Sequence, residues 1–211
     1  QLDKALDAGA DTAGDFADAG YTICACGEMG IGNTSAASAV CSVLLGIEPE
    51  CTVGPGAGLD AAGLARKLTA VKRGIARNAP DMHNVYDVLA KVGSFDMAAM
   101  AGFMIGCAAC GIPVIIDGFI SAVSALCAVR LCPAVQPYLL ASHVSDEPAG
   151  ALVLEALGLE APIAAHMRLG EGTGAAALLP LLDMAAAVYT QAASFAASGI
   201  APYTTFGAAK P

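Results

Sequence analysis

The sequence contains no tryptophan, and aromatic residues make up only 5% of its 211 positions. A glycosidase, which needs aromatic platforms for sugar rings, is a poor match for such a chain. Basic residues are scarce too: 10 Lys and Arg stand against 19 Asp and Glu, giving a net charge of −9. That balance argues against a partner with a phosphate backbone, so neither DNA nor RNA is expected. No secretory n-region or cleavage site occurs in Gln1 to Thr12. There is no G-x-S-x-G elbow and no P-loop lysine motif, and His83, His143 and His166 lack i, i+4 spacing. No metal and no cofactor are therefore expected.

Eight cysteines follow no small-domain spacing, which predicts reduced thiols in a cytoplasm. Cys24-x-Cys26 lies in a strand candidate and Cys107-x-x-Cys110 in an apolar helix, so inert buried thiols are favoured over a metal or redox pair. One long uncharged run exists, the twenty residues Met97 to Ile116. Its length would span a bilayer. Gly111 and Pro113 divide it, however, and Ala and Gly supply much of its bulk, so a buried helix followed by a buried strand is expected and no membrane.

What is present centres on Gly27-Glu28-Met29-Gly30-Ile31-Gly32-Asn33-Thr34, a glycine-rich turn between the apolar run Tyr21 to Cys26 and a small-residue helix from Ser35 to about Gly46. Three glycines in six residues let the backbone approach a bound group closely, and Asn33 or Thr34 is placed to cap the helix. Free N–H groups at such a helix start favour an anion. Glu28 does not belong to that logic. It either contacts a cationic or proton-bearing substrate group or simply points to solvent.

Further elements follow in order. A helix with a charged outer face is expected over Leu2 to Ala19, and a helix over Asp60 to Asn78 whose stripe is Leu64, Leu68, Val71 and Ile75. Arg66, Lys67, Lys72, Arg73 and Arg77 crowd the rest of that helix, half of all bases in the chain. They form either a solvated face or a source of one cation for an anionic substrate. Helices are expected over Asn84 to Val92, Phe95 to Cys110, Ile120 to Val129, Glu147 to Leu157 and Ala175 to Ala193, the last tolerating or kinking at Pro180. Strands are expected at Val114 to Ile116, at Tyr138 to Ala141 and in the apolar stretch Ile163 to Leu169. Gly54-Pro55-Gly56-Ala57-Gly58 lacks the full dinucleotide pattern.

Four times, a short apolar strand ends in a polar turn and a helix follows: at Gly27-Glu28, at Asp117-Gly118, at Ser142 to Asp146 and at Gly170-Glu171-Gly172. Strands alternating with helices predict a parallel sheet with right-handed crossovers, which brings the four turns to one edge. Open α/β sheets bind ligands there. Two glycine-flanked glutamates without a metal suit proton transfer and stabilisation of a transient cation, and transfer of a glycosyl group from a small activated donor fits best.

The motifs Gly27 to Thr34, Asp87-Val88-Leu89-Ala90-Lys91-Val92-Gly93, Phe95-Asp96, Asp117-Gly118-Phe119-Ile120-Ser121, Ala141-Ser142-His143 and Met167-Arg168-Leu169-Gly170-Glu171-Gly172-Thr173-Gly174 together resemble nicotinate-nucleotide–dimethylbenzimidazole phosphoribosyltransferase, in the same order from about Gly20 to Ile200. The resemblance implies a Rossmann-like parallel sheet flanked by helices, a homodimer, and small-molecule substrates. Phosphoribose would pass from nicotinate mononucleotide to a benzimidazole nitrogen, with inversion to the α-anomer. It implies Glu171 as general base and Glu28 as a second functional glutamate. Donor phosphate would lie against the N–H groups of Gly30, Ile31, Gly32, Asn33 and Thr34 and those of Gly172, Thr173 and Gly174, assisted by Lys67. Asp117, Gly118 and Ser145 would line the ribose and phosphate region, and Met29, Leu169 and Gly170 complete the expected binding residues. An apolar pocket would raise the base toward neutral pKa.

One α/β domain is expected over residues 1–211, with a helical lead-in at 1–20 and a tail at 201–211 that follows no usable pattern. The family normally has a further N-terminal portion that supplies part of the base pocket, so a pocket missing one wall is expected. The alternative is a catalytically incomplete nucleotide-binding module that assembles with a partner chain.

Overall fold

A computed structural model describes residues 1–56 and 58–201, so Ala57 and the tail beyond Ala201 lie outside the described residues. The described part falls into two compact units, Gln1–Leu178 and one beginning at Leu179. The first unit holds a sheet of three parallel strands, β1 (Cys24–Cys26), β2 (Val114–Ile116) and β3 (Leu139–Ala141), in that order. Register pairs Cys24 with Val114 and Val114 with Leu139. β2, central and fully buried, is the β-branched run Val114-Ile115-Ile116, as a strand covered on both faces requires.

Helices surround it. In order they are α1 (Leu2–Asp18), α2 (Asn33–Leu45), α3 (Ala61–Asn78), α4 (Val85–Val92), α5 (Phe95–Ala109), α6 (Phe119–Leu131) and α7 (Gly150–Leu157), then α8 (Thr173–Gln191) and the short α9 (Phe195–Ser198). The expected α/β class and its parallel sheet are thus present. Met97 to Ile116 is the buried body of α5, a turn at Gly111 and strand β2, not a span. Among the described residues α8 alone is long and apolar enough to cross a membrane by length and composition, and 17% of that stretch is buried. It carries Asp183 and, inside the helix, Pro180.

Small residues set the closest packing. A Cβ on Gly102 would stand 2.0 Å from the Leu6 carbonyl oxygen, and one on Gly9 1.9 Å from that of Ala99. Glycine lets α1 and α5 touch backbone to backbone there. α2 and α6 are buried almost all round, consistent with their lack of a polar stripe. α3 is amphipathic as expected: Val71 is buried, with Leu64, Leu68 and Ile75 packed beside it.

Two expectations fail here. The stretch Ile163 to Leu169 is not a strand; only Ile163 bridges in parallel to His143, with Val144 N–H donating to its carbonyl at 2.9 Å. His166 sits at φ +52°, a left-handed conformation that breaks an extended run. Cys110 is exposed at the end of α5. Cys24, Cys26 and Cys107 are buried as expected, and burial pushes the Cys26 and Cys107 thiols up to about 12.

Candidate functional site

Each strand delivers one turn to the carboxyl edge of the sheet. β1 runs into Gly27 to Thr34, β2 into Asp117-Gly118 and β3 into Ser142 to Asp146; the fourth turn, Leu169 to Gly174, leads into α8. The structure brings the two glutamate turns into contact. Glu171 N–H donates to the Glu28 carbonyl at 3.2 Å. A Cβ on Gly27 would lie 2.2 Å from the Gly172 nitrogen, so only glycine permits the approach. Glu171 itself holds φ +59°, costly for a residue with a side chain, between Gly170 and Gly172, both at φ +79°.

Glu28 is half-buried and its carboxyl is pushed up to about 7, first by burial and then by the charges of Asp96, Asp117 and Glu171. Its carboxylate also accepts a hydrogen bond from the Asn33 side-chain amide. Glu171 is exposed. The carboxyl lifted toward neutrality in the first turn is that of Glu28. Met29, Ile31 and Leu169, on the same two turns, are 79%, 107% and 71% exposed. At the ends of β2 and β3, Ile116, Asp117, Phe119, Ser142, His143 and Ser145 line a hollow with no room for a water.

The two helix starts are finished differently. At α8, the buried Asp117 carboxylate accepts from Gly174 N–H at 2.6 Å, Gly172 N–H at 3.0 Å and Ala175 N–H at 3.2 Å. Thr173 N–H and its hydroxyl both donate to the Gly170 carbonyl. The N–H groups of Gly172 to Gly174, expected to face the donor phosphate, are therefore spent within the protein. An aspartate supplies the negative charge a helix start favours, and the same bonds occupy Asp117, expected to line the ribose region.

At α2 the cap is Gly32, at φ +90°, without a side-chain cap bond. Neither Asn33 nor Thr34 caps it: Asn33 reaches back to Glu28, and Thr34 Oγ1 accepts from Lys67 Nζ at 2.9 Å. Among the described residues no hydrogen bond takes up the N–H groups of Gly30 to Thr34. Lys67 is the buried exception on the otherwise solvated basic helix, its ammonium also donating to the Gly54 carbonyl at 2.8 Å. Burial holds its pKa below the usual lysine range, and the Glu147 charge works in the opposite direction. This second start keeps its donors and a cation beside them, the features of an anion site.

Gly118 caps α6, and buried Ser145 accepts from Glu147 N–H at 3.4 Å. Sequence reasoning had no role for His143. It is buried with Nδ1 3.0 Å from Ser142 Oγ, and its pKa is lowered by burial against the pull of Asp117. A Cβ on Gly174 would fall 2.0 Å from that nitrogen. The motif Ala141-Ser142-His143 carried the signal, but the packing partner lies far along the chain. Among the described residues no group of His, Cys, Asp and Glu could hold a metal ion.

A parallel sheet whose carboxyl-edge turns carry two glutamates and an open helix start is an α/β architecture with its polar turns gathered where open α/β sheets bind ligands. Comparison with known proteins makes the class specific. A sequence model of a family described as phosphoribosyltransferase matches residues 1–200. A nicotinate-nucleotide–dimethylbenzimidazole phosphoribosyltransferase of Escherichia coli is 45% identical over 186 residues, 88% of this chain and 52% of that relative. One from Desulforudis audaxviator is 48% identical over 181 residues, 86% and 51% of the two chains. The crystal structure of CobT from Thermus thermophilus superposes with a TM-score of 0.88 at 40% identity, covering 95% of this chain and 60% of that one. The chain belongs to the nicotinate-nucleotide–dimethylbenzimidazole phosphoribosyltransferase family, and it spans about half the length of the curated relatives it matches.

Proposed function

We propose that this chain transfers phosphoribose from nicotinate mononucleotide to 5,6-dimethylbenzimidazole or a related base, giving α-ribazole 5′-phosphate and nicotinate. The names of its relatives support the reaction, and the backbone bond that sets Glu171 beside Glu28 is the observation that carries it. In the donor, the bond between C1′ and the pyridinium nitrogen breaks, and its electron pair leaves with nicotinate. The free nitrogen of the acceptor attacks C1′ from the opposite face, and the acceptor's N–H proton passes to Glu171 as general base. Glu28, with its carboxyl near neutrality, faces the same space and orients the acceptor or the cationic ribose.

Donor phosphate lies against Gly30 to Thr34 and Lys67, where N–H donors are unused, and Met29, Ile31 and Leu169 offer apolar surface to a flat heterocycle. Gly118, Ser145 and Gly170 border this region. We also propose that the chain acts as one catalytic domain, as a homodimer and in a cytoplasm; the family resemblance and eight unpaired thiols support this reading.

The test is incubation with nicotinate mononucleotide and 5,6-dimethylbenzimidazole. Nicotinate release that Glu171→Gln abolishes is the expected result. Donor binding without turnover overturns the proposal in favour of a nucleotide-binding module.

A further inference from the structure

Glu147 plays no part in the reaction above, yet it is placed where a carboxylate is costly. It follows β3, before α7, and its Oε2 is buried and accepts no hydrogen bond among the described residues. That oxygen packs against the main chain of Gly54: a Cβ there would stand 2.1 Å from it. Burial raises the pKa of Glu147, and against that the Lys67 charge and then the Gly56 N–H favour its ionised form. Gly54 is also the residue whose carbonyl accepts from Lys67 Nζ, and a Cβ on Gly56 would lie 3.0 Å from Thr34 Oγ1. One short turn is thus held between the Glu147 carboxylate on one side and the Lys67–Thr34 pair on the other.

Lys67 has a matching need. Its ammonium is buried, its two bonds go to neutral oxygens, and it joins no close ion pair among the described residues. Glu147 supplies the Coulombic attraction that favours its charged form. The other charges bearing on Glu147 are Asp146 beside it and Arg168 on the loop before α8, and these oppose one another.

We propose that Glu147 is a positioning residue, the buried counter-charge that keeps Lys67 an ammonium and fastens the turn at Gly54 to Gly56 across the start of α2. The placement matters because a neutral amine at Lys67 would leave the open helix start without its cation. The idea rests on the proposed donor site for its purpose, though not for its test.

Lysine and glutamate side chains can be followed by NMR through a pH titration of the 13C-labelled protein. In Glu147→Gln the Lys67 resonance is expected to titrate at lower pH than in the wild type. By reciprocity, Glu147 is expected to titrate at higher pH in Lys67→Met. Unchanged Lys67 and Glu147 titrations in the two folded variants overturn the proposal. Glu147→Asp, which keeps the charge, is expected to return the Lys67 titration toward wild type, an outcome that a purely steric role would not give. Nicotinate mononucleotide binding to Glu147→Gln is expected to weaken about three- to tenfold on the alkaline side. A wild-type chain that binds no mononucleotide defeats the functional reading alone, because the titrations do not require the donor.

Discussion

Asp117 holds Gly174 by a 2.6 Å hydrogen bond across 57 positions of sequence, and with it the whole turn that carries Glu171. A single buried carboxylate at the end of β2 thereby serves as the cap of α8 and as the brace of the candidate base. Asp117→Ala is expected to strand three N–H donors and cost about 2–3 kcal/mol of stability. Urea unfolding measures it. Asp117→Asn, which keeps one acceptor oxygen, is expected to lose less; equal stability of all three proteins would show that the cap carries no load.

Gly27 faces the Gly172 nitrogen with no space for a methyl group. Gly27→Ala is expected to force the glutamate turns apart, at about 1–3 kcal/mol by analogy with overpacked sites. Turnover should fall more than stability accounts for, so nicotinate release is measured well below the variant's Tm. Wild-type kcat in this variant would break the link between the backbone contact and the chemistry.

Glu28 gives stability a pH dependence of defined sign. Its folded carboxyl titrates at about 7, above the ordinary value of 4.5, so between those values the folded state binds more protons than the unfolded chain. Stability contributed by the neutral acid is therefore complete below the lower value and is lost as pH rises toward the upper one. Glu28→Gln, which cannot ionise, is expected to flatten the fall in Tm between pH 4.5 and pH 7; a Tm profile identical to wild type would contradict the assigned environment.

Glu171→Gln keeps the turn's main-chain bonds and removes only the proton acceptor. The rate of nicotinate release is expected to drop on the order of 10²- to 10⁴-fold, with donor affinity within a few fold of wild type. Lys67→Met is expected to show the opposite split, raising KM for the donor while kcat changes less. Steady-state kinetics on the two variants separate base from binding residue, and interchanged effects would reverse the assignments.

Much of this was legible in the sequence because the signals are local. Val114-Ile115-Ile116 reads as a central strand from its β-branching, and Leu64, Leu68, Val71 and Ile75 declare the buried face of α3 by spacing alone. The glycines around Glu28 and Glu171 marked both turns for close approach. What the sequence left hidden depends on which distant group reaches a donor first. Gly172 to Gly174 look like a free anion cradle until Asp117 arrives from another strand and fills it. By spacing alone Lys67 looks like one of five bases on α3; the family resemblance singled it out, and only the fold buries it beside Thr34. His166 disguises the end of the sheet, since its left-handed backbone interrupts a stretch whose apolar residues otherwise suit a fourth strand.

The joint between the two glutamate turns is a bond from the Glu171 N–H to the Glu28 carbonyl, so a side-chain exchange that keeps this N–H and spares the glycines leaves both bonding groups in the chain. Under the proposed function, exchanges at exposed Met29, Ile31 and Leu169 would reshape the surface offered to the acceptor base while the main-chain joint between Glu28 and Glu171 stays in place.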